Sequence, residues 1–104
     1  MSTYHLSVIT PHGRPFEGQI ESLIAPGAEG AFGILANHAP FIATLSAGVL
    51  TVVHNGTKNF FALTAGVLEV NAKGSVLVLA DYAAGAKTLE DAQDKIESAV
   101  KNKI

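Results

Sequence analysis

Four histidines, nine acidic side chains and a glycine-rich turn are the groups in this 104-residue chain that could do chemistry. His5, His12, His38 and His54 show no HxH, HxxxH or HExxH spacing, and cysteine is absent, so no local zinc site is drawn. No Gly-x-Ser-x-Gly elbow occurs, and the scattered Ser, His and Asp residues define no triad. Gly27, Gly30 and Gly33 spell GxxGxxG, which is neither the dinucleotide fingerprint nor a P-loop. No Gly-Lys-Ser/Thr follows, and the segment feeds a strand rather than opening a helix. No catalytic residue, metal or cofactor is expected. Three of the histidines read as unrelated surface or turn residues.

What the glycines do instead is turn the backbone. Between Pro26 and Pro40 they let the chain take φ > 0 or pass close to another backbone, while proline fixes φ and withholds a donor. Phe32, Ile34 and Leu35 lie between these turns and should fold back into a core. From Gly30 to the residue before Lys58 there is no formal charge. A chain of this size keeps roughly a third or more of its unfolded surface in water, so part of that neutral stretch must face outward. A contiguous neutral surface of this kind usually marks a place where something docks; the alternative reading is a run of turns and core strands in which Ser, Thr, Asn and His supply the wet positions.

Composition narrows the class. Hydrophobic residues make up 48% and charged residues 15%, which is rich for a lone domain. The purest apolar run, Val76-Leu77-Val78-Leu79-Ala80, is strand length and far short of the ~18 residues of a membrane span. No basic-then-apolar leader opens the chain, so no signal peptide is expected. The absence of cysteine fits a reducing compartment. A net charge of −2 with dispersed lysines argues against nucleic acid as a partner.

The elements that must position any docking site read as strands first and a helix last. Alternation makes 4–9 a half-buried strand, ended by Thr10-Pro11-His12-Gly13. Residues 14–17 read as a short extended piece, and Gly18 as the turn into a strand at 19–25. Further strands are expected at 41–45, 49–53, 60–63, 67–70 and 75–80. Asn55-Gly56 is the strongest hairpin signal, because both residues tolerate the φ > 0 of a type I′ turn. The pattern implies an antiparallel β-sandwich or barrel of short strands. Residues 83–86 read as a small-residue link. Beyond it, Thr88 and Asp91 resemble a capping box, and Leu89, Ala92, Ile96, Ala99 or Val100, and Ile104 form one apolar stripe. Glu90, Asp91 and Asp94 at the start, with Lys101 and Lys103 at the end, suit the helix dipole. Asp91–Lys95 and Glu97–Lys101 are acid-first i,i+4 pairs. Two parts follow: a sandwich over 1–84, and a linker with a single helix over 85–104.

A known family matches these residues. Pro26-Gly27, Glu29-Gly30, Gly33-Ile34-Leu35, His38-Ala39-Pro40, Leu45, Gly48-Val49-Leu50, Gly66, Leu68-Glu69-Val70 and Val78-Leu79-Ala80-Asp81 resemble, in this order, the epsilon subunit of F-type ATP synthase. Tyr4-His5-Leu6 and Phe16-x-Gly18 fit as well, so the resemblance runs over about residues 3–92. It implies a flattened sandwich of about ten short strands and a non-catalytic rotor subunit of the central stalk. Such a subunit couples ion-driven rotation of the c-ring, through gamma, to ATP synthesis in the alpha/beta hexamer.

By the same resemblance Glu29, Gly30, Ala31 and Phe32 would face the c-ring, and His38, Ala39 and Pro40 would face gamma. On the residues alone, His38 could equally be a turn histidine bonding nearby backbone, and Glu29 an exposed turn acid. Membrane association would run only through the complex, at the cytoplasmic face of a bacterial inner membrane, with the stromal face of a thylakoid as the second choice. The family's ATP-binding pattern departs here, since Gln93 stands where relatives carry arginine, and a neutral amide cannot hold phosphates as a guanidinium does. With Ile104 as the last residue, no second helix and no regulatory role are expected. The alternative function is a free-standing β-sandwich interaction or small-ligand-binding domain.

Overall fold

The computed structural model describes residues 2–101, with side chains in the closing helix described through Ala99. Alternating burial builds the first hairpin. In β1 (Tyr4–Thr10), Tyr4, Leu6 and Val8 are buried and their neighbours are half-buried, as a period-two pattern requires. It pairs antiparallel with β2 (Gly13–Ile20), which runs straight through Gly18, paired there with Leu6. The break expected at Gly18 lies instead at Glu21. There the chain leaves one sheet for the other: Ile20 pairs with Tyr4, Ser22 pairs with Val53, and the Glu21 amide donates to the Val53 carbonyl at 2.8 Å.

After β3 (Ser22–Ala25), the glycine-rich segment itself contains a strand, β4 (Phe32–Leu35), paired with β3 at the edge of the second sheet. Sequence reading took this segment as turns, because Gly33 in mid-strand weakens the pattern. β5 (Phe41–Leu45), β6 (Gly48–His54), β7 (Thr57–Leu63), β8 (Gly66–Val70) and β9 (Val76–Ala80) follow the expected order. Asn55 and Gly56 carry φ of 52° and 73°, the type I′ hairpin foreseen between β6 and β7. β10 (Ala83–Ala86), read as a link, pairs with β7 from Leu63 to Phe60.

Two five-stranded sheets result, in the orders β2-β1-β9-β8-β5 and β10-β7-β6-β3-β4. The sandwich departs from a wholly antiparallel one at a single place among the described residues: β1 and β9 run parallel. Leu6, Val8, Ile20, Leu23, Ile34, Leu45, Leu50, Val52, Leu63, Leu68, Val70, Val76 and Val78 fill the space between the sheets. Gly66 is required where β8 meets β9, because a Cβ there would overlap the Leu79 carbonyl.

The helix α1 (Leu89–Lys101) packs on β7, β10 and β6. Ala62, opposite Val49 and Ala84 and so on the outer side of β7, is fully buried, as is Ala92 on the helix. The Thr88 hydroxyl accepts from the Asp91 amide at 3.0 Å, while the Asp91 carboxylate accepts from the Lys87 amide at 3.3 Å, one residue before the box partner expected. Asp91 also holds Lys95 at 3.0 Å. Leu89, placed on the apolar stripe, is 48% exposed. The side chains of Val100 and Lys101, and all of Lys103 and Ile104, lie outside the described residues. No described helix is long and apolar enough to cross a membrane.

Candidate functional site

The glycine-rich segment crosses between the two sheets. Beyond β3 the Ala28 amide donates to the Thr44 carbonyl and the Ser46 amide to the Pro26 carbonyl, each at 2.9 Å, which ties the turn to β5 of the opposite sheet. Gly30 closes the turn by donating to the Gly27 carbonyl at 3.1 Å, with φ of 129°. Gly27 is needed for close approach: a Cβ on it would lie 2.9 Å from two carbons of the Phe32 ring. Glu29, Gly30 and Ala31 are exposed, whereas Phe32 is half-buried against the core. A cleft of about 380 Å³ separates this turn from residues 41–44 of β5.

The second predicted segment lies on the far side of the same aromatic group. Asn37 turns the chain with φ of 67°, after which His38 is half-buried and Ala39 and Pro40 are exposed. His38 donates from Nδ1 to the Ala39 carbonyl at 2.8 Å, the local bond of a turn histidine. Its ring meets Phe41 edge-on at 5.4 Å, and Phe41 meets Phe32 at 5.5 Å. The structure therefore brings one residue of each predicted segment, Phe32 and His38, onto the same phenyl ring.

The other histidines are dispersed. His5 donates to Glu17 at 3.1 Å, and His54 donates to the Gln19 carbonyl at 2.8 Å while touching Phe16 edge-on. Arg14 holds Glu17 at 2.6 Å; that bond first, and His5 second, keep the Glu17 carboxyl below the usual carboxylate range. Among the described residues no three His, Asp or Glu side chains are grouped to hold a metal ion.

Sequence reading missed an uncovered apolar surface on the outer face of the first sheet. Cross-strand register sets Ile9, Leu79, Val67 and Thr44 in one row, and Ser7, Leu77, Glu69 and Ile42 in the next. Ile42 is 70% exposed, and Val67 and Leu79 are also exposed. The helix covers only the β10, β7 and β6 part of the other sheet. A signal existed: Val67, Leu77 and Leu79 occupy the outward positions of their strands, where alternation asks for polar residues. A recess of about 350 Å³ at the end of this face lies between Thr10, Ala65, Gly66 and Leu79.

Comparison with known proteins fits this architecture. The family described as ATP synthase, Delta/Epsilon chain, beta-sandwich domain matches residues 3–86. The ATP synthase epsilon chain of Bradyrhizobium sp. (strain ORS 278) is 41% identical over 90 residues, which is 86% of this chain and 66% of that one. The epsilon chain of Rhodopseudomonas palustris (strain TIE-1) is 42% identical over 94 residues, 90% of this chain and 68% of that one. The chain thus spans about two thirds of the length of the curated relatives it matches. A chain in the OSCP/F1/c-ring structure of the Euglena gracilis mitochondrial ATP synthase shares the fold with a TM-score of 0.78 at 20% identity, over 98% of this chain and 64% of that one. One from the central stalk/c-ring structure of Tetrahymena thermophila does so at 0.69 and 13% identity, over 97% of this chain and 92% of that one. On the family match across its whole sandwich and this level of identity, the chain belongs to the ATP synthase delta/epsilon family.

Proposed function

We propose that this chain is a non-catalytic rotor subunit of the central stalk, bound to gamma and resting on the c-ring, so that ion-driven rotation is coupled to ATP synthesis. The observation that carries this reading is the asymmetry of coverage. The helix covers one sheet at β10, β7 and β6 and leaves Ile24 and Leu35 exposed at its β3–β4 end. The outer face of the other has no covering element among the described residues and keeps Leu79, Val67 and Ile42 exposed and Ile9 and Leu77 half-buried. Apolar surface of that kind favours a protein partner by removing it from water, about 25 cal/mol per Å². Gamma fits this face and the neighbouring residues His38, Ala39 and Pro40. Glu29, Gly30, Ala31 and Phe32, on the protruding turn, fit the polar loops of the ring. The subunit would sit on the cytoplasmic face of a bacterial inner membrane and touch the membrane only through the complex. Within the chain, residues 1–84 carry the docking surfaces and 85–104 support them.

The test places one charge at a time in the chain and follows both assembly and coupling. Leu79→Asp, Phe32→Asp and Ala39→Asp should reduce co-purification with gamma or uncouple hydrolysis from ion pumping by tenfold or more. Lys58→Glu and Lys73→Glu, on the exposed β7 start and the β8–β9 turn, should not. Equal tolerance at all five positions overturns the reading.

A further inference from the structure

Gly27 and His38 stand at the two ends of a single chain of contacts. The Phe32 ring lies where a Gly27 side chain would be, and it also packs against the core. Phe32 meets Phe41 at 5.5 Å with planes at 75°, and Phe41 meets His38 at 5.4 Å with planes at 60°. The route along the backbone from Phe32 to His38 is longer, through an edge strand and the left-handed turn at Asn37. β5 supplies the common support. It begins with Phe41, and the Thr44 carbonyl near its far end accepts from Ala28 in the protruding turn.

We propose that Phe41 is a positioning residue that locks the protruding turn (28–32) and the His38 segment (38–40) into one rigid unit. A partner that displaces the turn then moves the His38 segment as well. The physical basis is the edge-on packing of Phe41 on both neighbouring rings at the lip of the cleft, so that a shift of Phe32 changes the surface on which Phe41, and then His38, can pack. The inference rests on the docking role given above to these two segments. Its consequence is that contact with the ring and contact with gamma are made cooperatively, through a side chain that need touch neither partner.

The experiment uses the full chain with isotopically labelled histidine, read by nuclear magnetic resonance. Phe32→Leu should move the ring resonances of His38 and leave those of His12, in the distant β1–β2 turn, in place. In a Phe41→Leu background the same Phe32→Leu change should leave His38 unmoved, because the intermediate ring is gone. Phe41→Tyr keeps the ring and should keep the dependence, so it also serves if Phe41→Leu does not fold. An unmoved His38 in the parent chain overturns the proposal. So does a shift that survives Phe41→Leu, or its loss in Phe41→Tyr. Gamma capture measured on Phe32→Asp and Ala39→Asp separates the two claims: unchanged capture removes the docking role while the resonance coupling can still stand.

Discussion

Tyr4 closes the sandwich at its first residue and does so with a polar group. Its side chain is buried, its hydroxyl donates to the Ile34 carbonyl at 2.6 Å, and burial pushes its pKa up to about 12, against a smaller opposing effect of the Leu23 backbone. A pKa raised on folding gives stability that is complete below the ordinary tyrosine value, about 10. That stability is lost as pH rises through the folded value of about 12. Denaturation midpoints should therefore fall between these two values in the parent chain and fall much less in Tyr4→Phe. At neutral pH the same substitution should cost about 1–3 kcal/mol, because the Ile34 carbonyl loses its donor. Glu17 and Asp91 act with the opposite sign. Their carboxyls are held low by Arg14 and by Lys95, so their contribution is present above the ordinary carboxylate value and disappears on acidification.

At the scale of elements, the helix shows what can be read from local signals. Thr88, Asp91 and Lys95 bond as their spacing implies, since caps and i,i+4 pairs depend only on residues within one turn. The Asn55-Gly56 hairpin was legible for the same reason. β4 and β10 were not. Gly33 interrupts the strand signal of Phe-Gly-Ile-Leu and Ala-Ala-Gly-Ala carries little of its own, and each pairs at an edge of the second sheet. The turn at 27–30 was legible from its glycines, while its docking role remains the proposal made above. The Phe32–Phe41–His38 contacts were not, because three-dimensional proximity of rings leaves no mark on spacing.

The helix also bears on nucleotide. A recess of about 250 Å³ lies between Tyr82 and residues 94–99, and its one cation among the described lining residues is Lys95. The Lys95 ammonium is held by both Asp91 oxygens, at 3.0 and 3.1 Å, and the exposed Gln93 is a neutral amide, which cannot hold phosphate as a guanidinium does. Calorimetry on the isolated chain should show no submillimolar affinity for ATP; a measured affinity in that range would contradict this account.

At the scale of the whole molecule, the two outer faces have different fates. One carries the chain's own helix over β10, β7 and β6, and the other has no covering element among the described residues. The parallel pairing of β1 with β9 has a consequence of another kind, in the order of events by which the fold is reached. β1 occupies an inner place in its sheet, between β2 and β9, yet its register partners Val76, Leu77, Val78 and Leu79 are among the later strand residues to be synthesised. Closing so long a loop costs entropy before any contact repays it, and chains dominated by such pairings fold in milliseconds to seconds. A nascent chain shorter than about residue 80 holds Leu6 and Val8 on a hairpin whose second neighbour does not yet exist. Folding should thus be all-or-none and late. Ribosome-bound chains ending at residue 70 should be protease-sensitive throughout, and protection should appear in one step once β9 has cleared the exit tunnel. If protection of the first hairpin came earlier, the parallel ladder would be an addition to a fold already formed rather than the event that closes it.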